Sequence, residues 1–321
     1  MPVPVLRRGK TGIISLVLFV SLTAGCAHIS PERYSLSVSG HAGRVEIPSV
    51  PFYPQRNHHC GPAAMAMVLQ WATVKVSPEE LVSEVFTPSR QGSLQSALIG
   101  AARRHDRLAH PIRGAEELLT ELTSGHPVLV LQNLGLSWLP RWHYAVAIGY
   151  DTVKGVIILH SGKDPSREVN WRLFMRTWRR VECWGLVVLP PGLLPASGEE
   201  HSYMRSALGL EQAGQWEGAA LAYGAALRRW PLSLGALMGL GNCRYKLGDL
   251  GGAERAFRRA TEAHSTSGEA FNNLAHVLAE QGRYDEALQM ATQAVDIGGA
   301  NKSLYVQTLR EIQAMTSPGP D

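Results

Sequence analysis

A cysteine that stands just before Gly-Pro and an apolar run is placed to act as a nucleophile. Cys60 lies in such a stretch, Gln55-Arg56-Asn57-His58-His59-Cys60-Gly61-Pro62-Ala63-Ala64, followed by Met65-Ala66-Met67-Val68-Leu69. The apolar run predicts a buried helix that begins at Cys60, with Pro62 in the first turn, where a missing N–H has no partner to lose. Unpaired N–H groups and the positive end of the helix dipole favour an anion there, so the expected thiol is one drawn below its ordinary pKa of about 8.5. The base this chemistry needs is His143, which opens the strand-like run His143–Tyr150 directly after Trp142. An imidazole in that place takes the thiol proton and later protonates a leaving amine. Gln55, just upstream of Cys60, can supply a side-chain N–H that, with the Cys60 backbone N–H, stabilises an oxyanion. His58 and His59 do not suggest a metal: consecutive side chains point apart and no second ligand pair stands at useful spacing, so they read as loop or cleft residues. No metal or other cofactor is expected.

The elements that would position these groups can be read in order. Ile47 to Phe52 looks like an edge strand limited by Pro48 and Pro51, and the Cys60 helix runs to about Ala72, apolar nearly all round and therefore central. Ser77-Pro78-Glu79-Glu80 is a capping box that opens a helix through Val85. A third helix is expected near Ser93, with Leu94, Leu98, Ile99 and Ala102 on one face, and a fourth over Ala115 to Thr123 that stops at Gly125. The period then changes to strands at Pro127–Leu131, His143–Tyr150 and Gly155–Leu159, a helix at Trp171–Arg179 and a last strand at Trp184–Leu189. Helices followed by an antiparallel sheet make an α+β unit, residues 47–190. Trp138 and Trp142 either border the cleft or pack its rim.

Residues 191–200, rich in Pro, Gly and Ser, read as a linker to an all-α tetratricopeptide repeat domain over 201–316. Gly214, Gly248 and Gly282 recur at 34-residue intervals, and Ala219, Ala253, Ala287 and then Ala226, Ala260, Ala294 keep the same register. That is the period of paired-helix repeats, here about 200–233, 234–267 and 268–301 with a capping helix from Lys302 to Met315. The first repeat is weakest at its start, where Tyr203 and Ser206 take slots held by Leu237 and Leu240 in the second. The aromatics Trp216, Tyr223, Phe257, Phe271 and Tyr284 are expected in the core.

Of the 321 residues, 45% are hydrophobic and 18% charged, with a net charge of +4. These are the proportions of folded protein, and the pairs Arg103-Arg104, Arg179-Arg180 and Arg228-Arg229 are too scattered for nucleic-acid binding, so they read as solvated surface. Arg7, Arg8 and Lys10 precede an apolar run of signal-peptide length that ends in Thr23-Ala24-Gly25-Cys26. This resembles a lipoprotein signal, implying a leader over 1–25, lipidation of Cys26, a polar tether over 26–46, and a lipid-anchored protein of the bacterial cell envelope. Ala27 favours the outer membrane, facing the periplasm. Cys183 and Cys243 fall in different domains and are expected as buried free thiols, without a disulfide framework.

Taken together, the Gln55–Ala64 stretch and Trp142-His143-Tyr144-Ala145-Val146-Ala147-Ile148-Gly149-Tyr150-Asp151 resemble the papain-like cysteine peptidases that process double-glycine leaders of bacteriocins, in the stand-alone bacterial lipoprotein form with C-terminal tetratricopeptide repeats. The resemblance implies Cys60 as nucleophile, His143 as general base and acid, and Gln55 as oxyanion donor. It also implies an Asp or Asn at the end of the strand after the histidine strand. Leu159-His160-Ser161-Gly162 stands there instead: Ser161 is the nearest match in register, with His160 beside it and Asp164 three residues late. The leading expectation is a membrane-anchored thiol peptidase acting on a peptide or protein substrate, with a protein partner on the repeats. The alternatives are a catalytically degenerate papain-like scaffold and a cell-wall peptide amidase.

Overall fold

The computed structural model describes residues 40–55 and 59–316, all within one compact unit. The leader 1–25, Cys26, most of the tether, and His58 lie outside the described residues. No helix among those described is long and apolar enough to cross a membrane.

The first part of the chain runs β1 (Arg44–Glu46), α1 (Cys60–Trp71), α2 (Pro78–Val85), β2 (Phe86–Thr87), β3 (Gly92–Ser93), α3 (Gln95–Arg104), β4 (Leu108–Arg113) and α4 (Ala115–Thr123). It continues with β5 (Val128–Asn133), β6 (Trp142–Asp151), β7 (Val156–Ser161), β8 (Asp164–Asn170), α5 (Trp171–Trp178) and β9 (Trp184–Leu189). Seven strands form one antiparallel sheet in the order β4-β9-β5-β6-β7-β8, with β1 beside the second half of β6, while β2 and β3 pair apart from it. This is an α+β unit. β5 and β9 are buried along their whole length, so both sheet faces are covered there. α1 packs on β5, β6 and β9, and α5 packs on β5, β7 and β8, pinned by Gln132 Nε2 donating to Thr177 Oγ1 at 2.7 Å.

Several expectations need correction. The edge strand placed at Ile47–Phe52 lies instead at Arg44–Glu46, inside the span assigned to the tether. The ladder ends on one bond, Ile47 N–H to Ile148 O at 2.8 Å, because Pro48 and Pro51 have no N–H to continue it. At Gly149, where β1 meets β6, a Cβ would lie 2.1 Å from Val45 O, so only glycine admits that pairing. β4, where no strand was expected, contains Pro111; it is tolerated because β4 is an edge strand. β8 is the opposite edge, almost wholly exposed, and has no apolar pattern to read. The third helix starts at Gln95, since Ser93 is paired with Phe86 in the β2–β3 hairpin, and Leu94 is exposed rather than on the buried face. Cys183 is half-buried rather than buried, just before β9, while Cys243 is fully buried; both are free thiols.

The helical part comprises α6 (Glu200–Gln212), α7 (Trp216–Arg229), α8 (Leu234–Lys246), α9 (Leu250–Ala263), α10 (Gly268–Glu280), α11 (Tyr284–Ile297) and α12 (Lys302–Thr316). Gly214, Gly248 and Gly282 all have φ near +76° (75°, 77° and 76°), the left-handed turn that ends the first helix of each pair. Tyr223, Phe257 and Phe271 are core residues, but Trp216 is half-buried and Tyr284 is exposed.

Residues 190–200 do not hold the two parts at a distance. α6 packs against β4 and α3, and one apolar cluster runs without a break from Ile47 to Ala270. Across this junction the His110 ring Nδ1 lies 3.0 Å from Ser206 Oγ, and Gln215 Nε2 donates to Arg104 O at 3.2 Å. The carboxylate of fully buried Glu121 accepts from Ser197 N–H at 2.7 Å and Ser197 Oγ at 2.6 Å, and lies 2.7 Å from His126 Nδ1. Burial alone would push this carboxyl up, but the hydrogen bonds from His126 and Ser197 hold it below the ordinary range. Arg103, expected in solvent, has its Nε buried and sits over Gly209, where a Cβ would lie 2.3 Å from its guanidinium.

Candidate active site

Cys60 is the first helical residue of α1, and its preceding residue, His59, makes no side-chain cap. First-turn N–H groups are therefore available to the thiol, and those of Tyr144, Gly61 and Cys60 itself all pull its pKa down. Burial pushes the other way and outweighs them, so the Cys60 thiol lies above its ordinary range. This corrects the expectation of a thiol drawn down by the helix start: the helix contributes, but desolvation under β6 and the β2–β3 hairpin is the larger effect. The hairpin is close because residue 61 has no side chain. A Cβ at Gly61 would lie 2.1 Å from Ser93 Oγ, a buried hydroxyl without a partner among the described residues. Tyr144 OH donates to Ser93 O at 3.1 Å, tying hairpin and β6 together above Cys60.

His143 lies near the start of β6 and shares with Cys60 a cleft of about 1070 Å³. Its Nε2 is 2.8 Å from Ser161 Oγ, at the end of β7, which leaves Nδ1 outside that bond. The imidazole is held down to about 4, first by burial and then by the positive charges of Arg141 and Arg167. At rest, then, this cleft holds a neutral thiol and a neutral imidazole. His160 and Asp164 are elsewhere. His160 Nδ1 accepts from Ser166 N–H at 3.1 Å and its Nε2 donates to Val50 O at 3.2 Å, whereas Asp164 is exposed and 4.0 Å from Arg167. Of the three candidates, Ser161 alone hydrogen-bonds His143.

Gln55 is buried at the edge of the cleft. Its Nε2 donates to Tyr144 O at 3.0 Å, its Oε1 accepts from Gly162 N–H at 3.0 Å, and its own N–H donates to Gly162 O at 2.8 Å. These bonds fix which way the amide faces and use one of its two N–H groups, so the second is left for an oxyanion. Trp142 and Tyr144 line the cleft, while Trp138 is 78% exposed and outside the lining. His59 stacks edge-on to Phe86, and among the described residues no three His, Cys, Asp or Glu side chains are grouped to hold a metal. Sequence reading missed Ser93, Arg90, Arg141 and Arg180 as lining residues. Ser93 ends a two-residue strand and the three arginines stand in short turns and a loop, segments in which no periodicity marks which side chains converge.

The site's frame is matched by known families. The family described as Peptidase_C39 like family matches residues 47–185, and the tetratricopeptide repeat matches residues 204–267 and 244–302. Among solved structures, a putative C39-like peptidase from Bacillus anthracis is 19% identical, with 46% of this chain and 97% of that one covered and a TM-score of 0.39. The Yersinia enterocolitica type III secretion chaperone SycD, in complex with a peptide of the translocator YopD, is 19% identical over 36% of this chain and 94% of that one, with a TM-score of 0.35. PcrH from Pseudomonas aeruginosa is 18% identical over 36% and 91%, with a TM-score of 0.34. No curated protein matches the sequence. The chain carries a Peptidase_C39-like domain over residues 47–185 followed by tetratricopeptide repeats over residues 204–302.

Proposed function

We propose that this protein is a cysteine peptidase, with Cys60 as nucleophile, His143 as base and acid, Ser161 as the group that orients His143, and Gln55 as oxyanion donor. The observation that carries the reading is the His143 Nε2 to Ser161 Oγ bond in a cleft shared with Cys60, since it holds the imidazole in that cleft and leaves its other ring nitrogen to act as base. His143 takes the Cys60 proton as sulfur attacks the peptide carbonyl. The oxyanion is met by the Cys60 backbone N–H and the free N–H of Gln55, and His143 then protonates the departing amine. Water hydrolyses the thioester with His143 again as base. The repeats recruit a protein partner or substrate, and the protein is held at the bacterial outer membrane by lipid on Cys26.

A degenerate binding module is the second reading, favoured by the serine where a carboxylate would orient the base more firmly. Peptide-library hydrolysis separates the two, with iodoacetamide labelling at mildly alkaline pH as a check on the thiol. The peptidase reading expects cleavage that vanishes in Cys60→Ala and falls by about 10² or more in His143→Ala. Equal residual cleavage by wild type and Cys60→Ala would overturn it.

A further inference from the structure

The cleft around Cys60 is strongly cationic. Arg90 reaches it from the turn before β3, Arg113 from the end of β4, Arg141 from the residue before β6, and Arg180 from the turn after α5. One carboxylate, Glu182, is among the lining residues, and it is tied to Arg113 at 2.5 Å. Arg180 is spent on backbone, donating to Asn133 O at 3.1 Å and to Gly135 O. That leaves Arg90 and Arg141, both exposed, whose side chains have no acceptor among the described residues.

Resting on the peptidase reading of the same cleft, we propose that its substrates are acidic peptides, with an Asp or Glu side chain within a few residues of the bond that is cut, received by Arg90 and Arg141. Four guanidinium groups drawn from four separate segments, offset by the single carboxylate of Glu182, leave a net positive potential in one concavity, which a lone basic surface residue does not. An arginine with no acceptor is also the group best shaped to take a carboxylate on two N–H groups. Apolar area between the charges, from Leu94, Leu131 and Trp142, gives the rest of an extended chain a surface to lie on. The arrangement also serves the chemistry. Arg141 disfavours the imidazolium form of His143, so a substrate carboxylate beside Arg141 offsets that charge when the base must hold a proton.

The test separates binding from cleavage. Two fluorescein-labelled pools of randomised neutral peptides, one with a central Glu and one with a central Gln, are titrated into Cys60→Ala protein by fluorescence anisotropy. The Glu pool is expected to bind about tenfold tighter, with an advantage that shrinks at high salt and is lost in Arg90→Gln/Arg141→Gln. Equal binding of the two pools, or a preference that survives the double substitution, overturns the proposal. Hydrolysis of the same pools by wild type reads the other question. A Glu preference in binding with no cleavage of either pool would sink the peptidase reading and leave the cleft's preference standing. Equal binding with cleavage of both would do the reverse.

Discussion

At the residue scale, the site is poised as a neutral pair. The Cys60 thiol is raised by burial and the His143 imidazole is held down to about 4, so between these limits neither group is charged before substrate arrives. Alkylation by iodoacetamide, which reads the thiolate, is therefore expected to climb through the alkaline range above pH ~8.5 without a plateau near pH 6. A flat, fast rate from pH 6 upward would show that a thiolate–imidazolium pair forms at rest. Ser161 is the lever on this balance. A carboxylate in Ser161→Asp would stabilise the imidazolium through Nε2, raise the His143 pKa, and increase the neutral-pH alkylation rate by about tenfold or more. No increase, in a variant that folds normally, would mean that Ser161 does not set the ring's charge. That Cys60, His143 and Gln55 are candidates could be read from the chain because each stands at a readable boundary: a helix start, a strand start, and the segment leading into that helix; the structure places all three on one cleft. The protonation state could not, because it depends on how much of Tyr144 and the β2–β3 hairpin lies over the thiol, and sequence spacing carries no measure of that.

At the element scale, the distance between α1 and the β2–β3 hairpin is set by Gly61. An added methyl would meet Ser93 Oγ at 2.1 Å, and Ser93 is held in place by the short hairpin and by Tyr144. Gly61→Ala is expected to cost about 1–3 kcal/mol, as overpacking does, and to lower cleavage by moving the hairpin off the cleft. Ser93→Gly in the same chain should recover much of that loss, so a urea-denaturation cycle with both single variants and the double measures the contact directly. If Gly61→Ala leaves the urea midpoint unchanged, the hairpin is not braced against α1. Elements with strong local signals were legible: α2 from its capping box, α4 from its glycine stop, and the buried strands β5, β7 and β9 from continuous apolar runs. β4 and β8 were not, because edge strands admit proline and charge, and the feature that makes them edges is their place in the sheet rather than their composition. The weak opening of the first repeat has the same origin. Ser206 departs from the repeat pattern because α6 faces β4, where it meets His110, whereas Tyr203 stays within the helical part, its OH donating to Ala222 O of α7.

At the scale of the whole molecule, the repeats are docked on the sheet through a buried titratable group, and this makes the union sensitive to acid. His110 sits in β4 under α6, held down to about 4 chiefly by burial, with Arg205 lowering it further and Glu121 opposing. In the unfolded chain the same imidazole titrates near its ordinary value of about 6.5. Between these limits the unfolded state binds a proton that the native state refuses, so stability is complete above pH ~6.5 and falls as the pH drops toward 4. The full shift corresponds to roughly 3 kcal/mol as an upper bound for one such group. His143 and His160 carry shifts of the same sign, so the slope belongs to all three residues and must be divided by substitution. His110→Asn keeps a side chain able to hydrogen-bond Ser206 but removes the titration. Its melting temperature should fall less than that of wild type from pH 6.5 to 4.5, while both proteins unfold in one transition because the apolar core is continuous across the junction. Superimposable pH slopes for His110→Asn and wild type would show that His110 does not control the docking, and two separate transitions at neutral pH would show that the repeats are stable without the sheet beneath them.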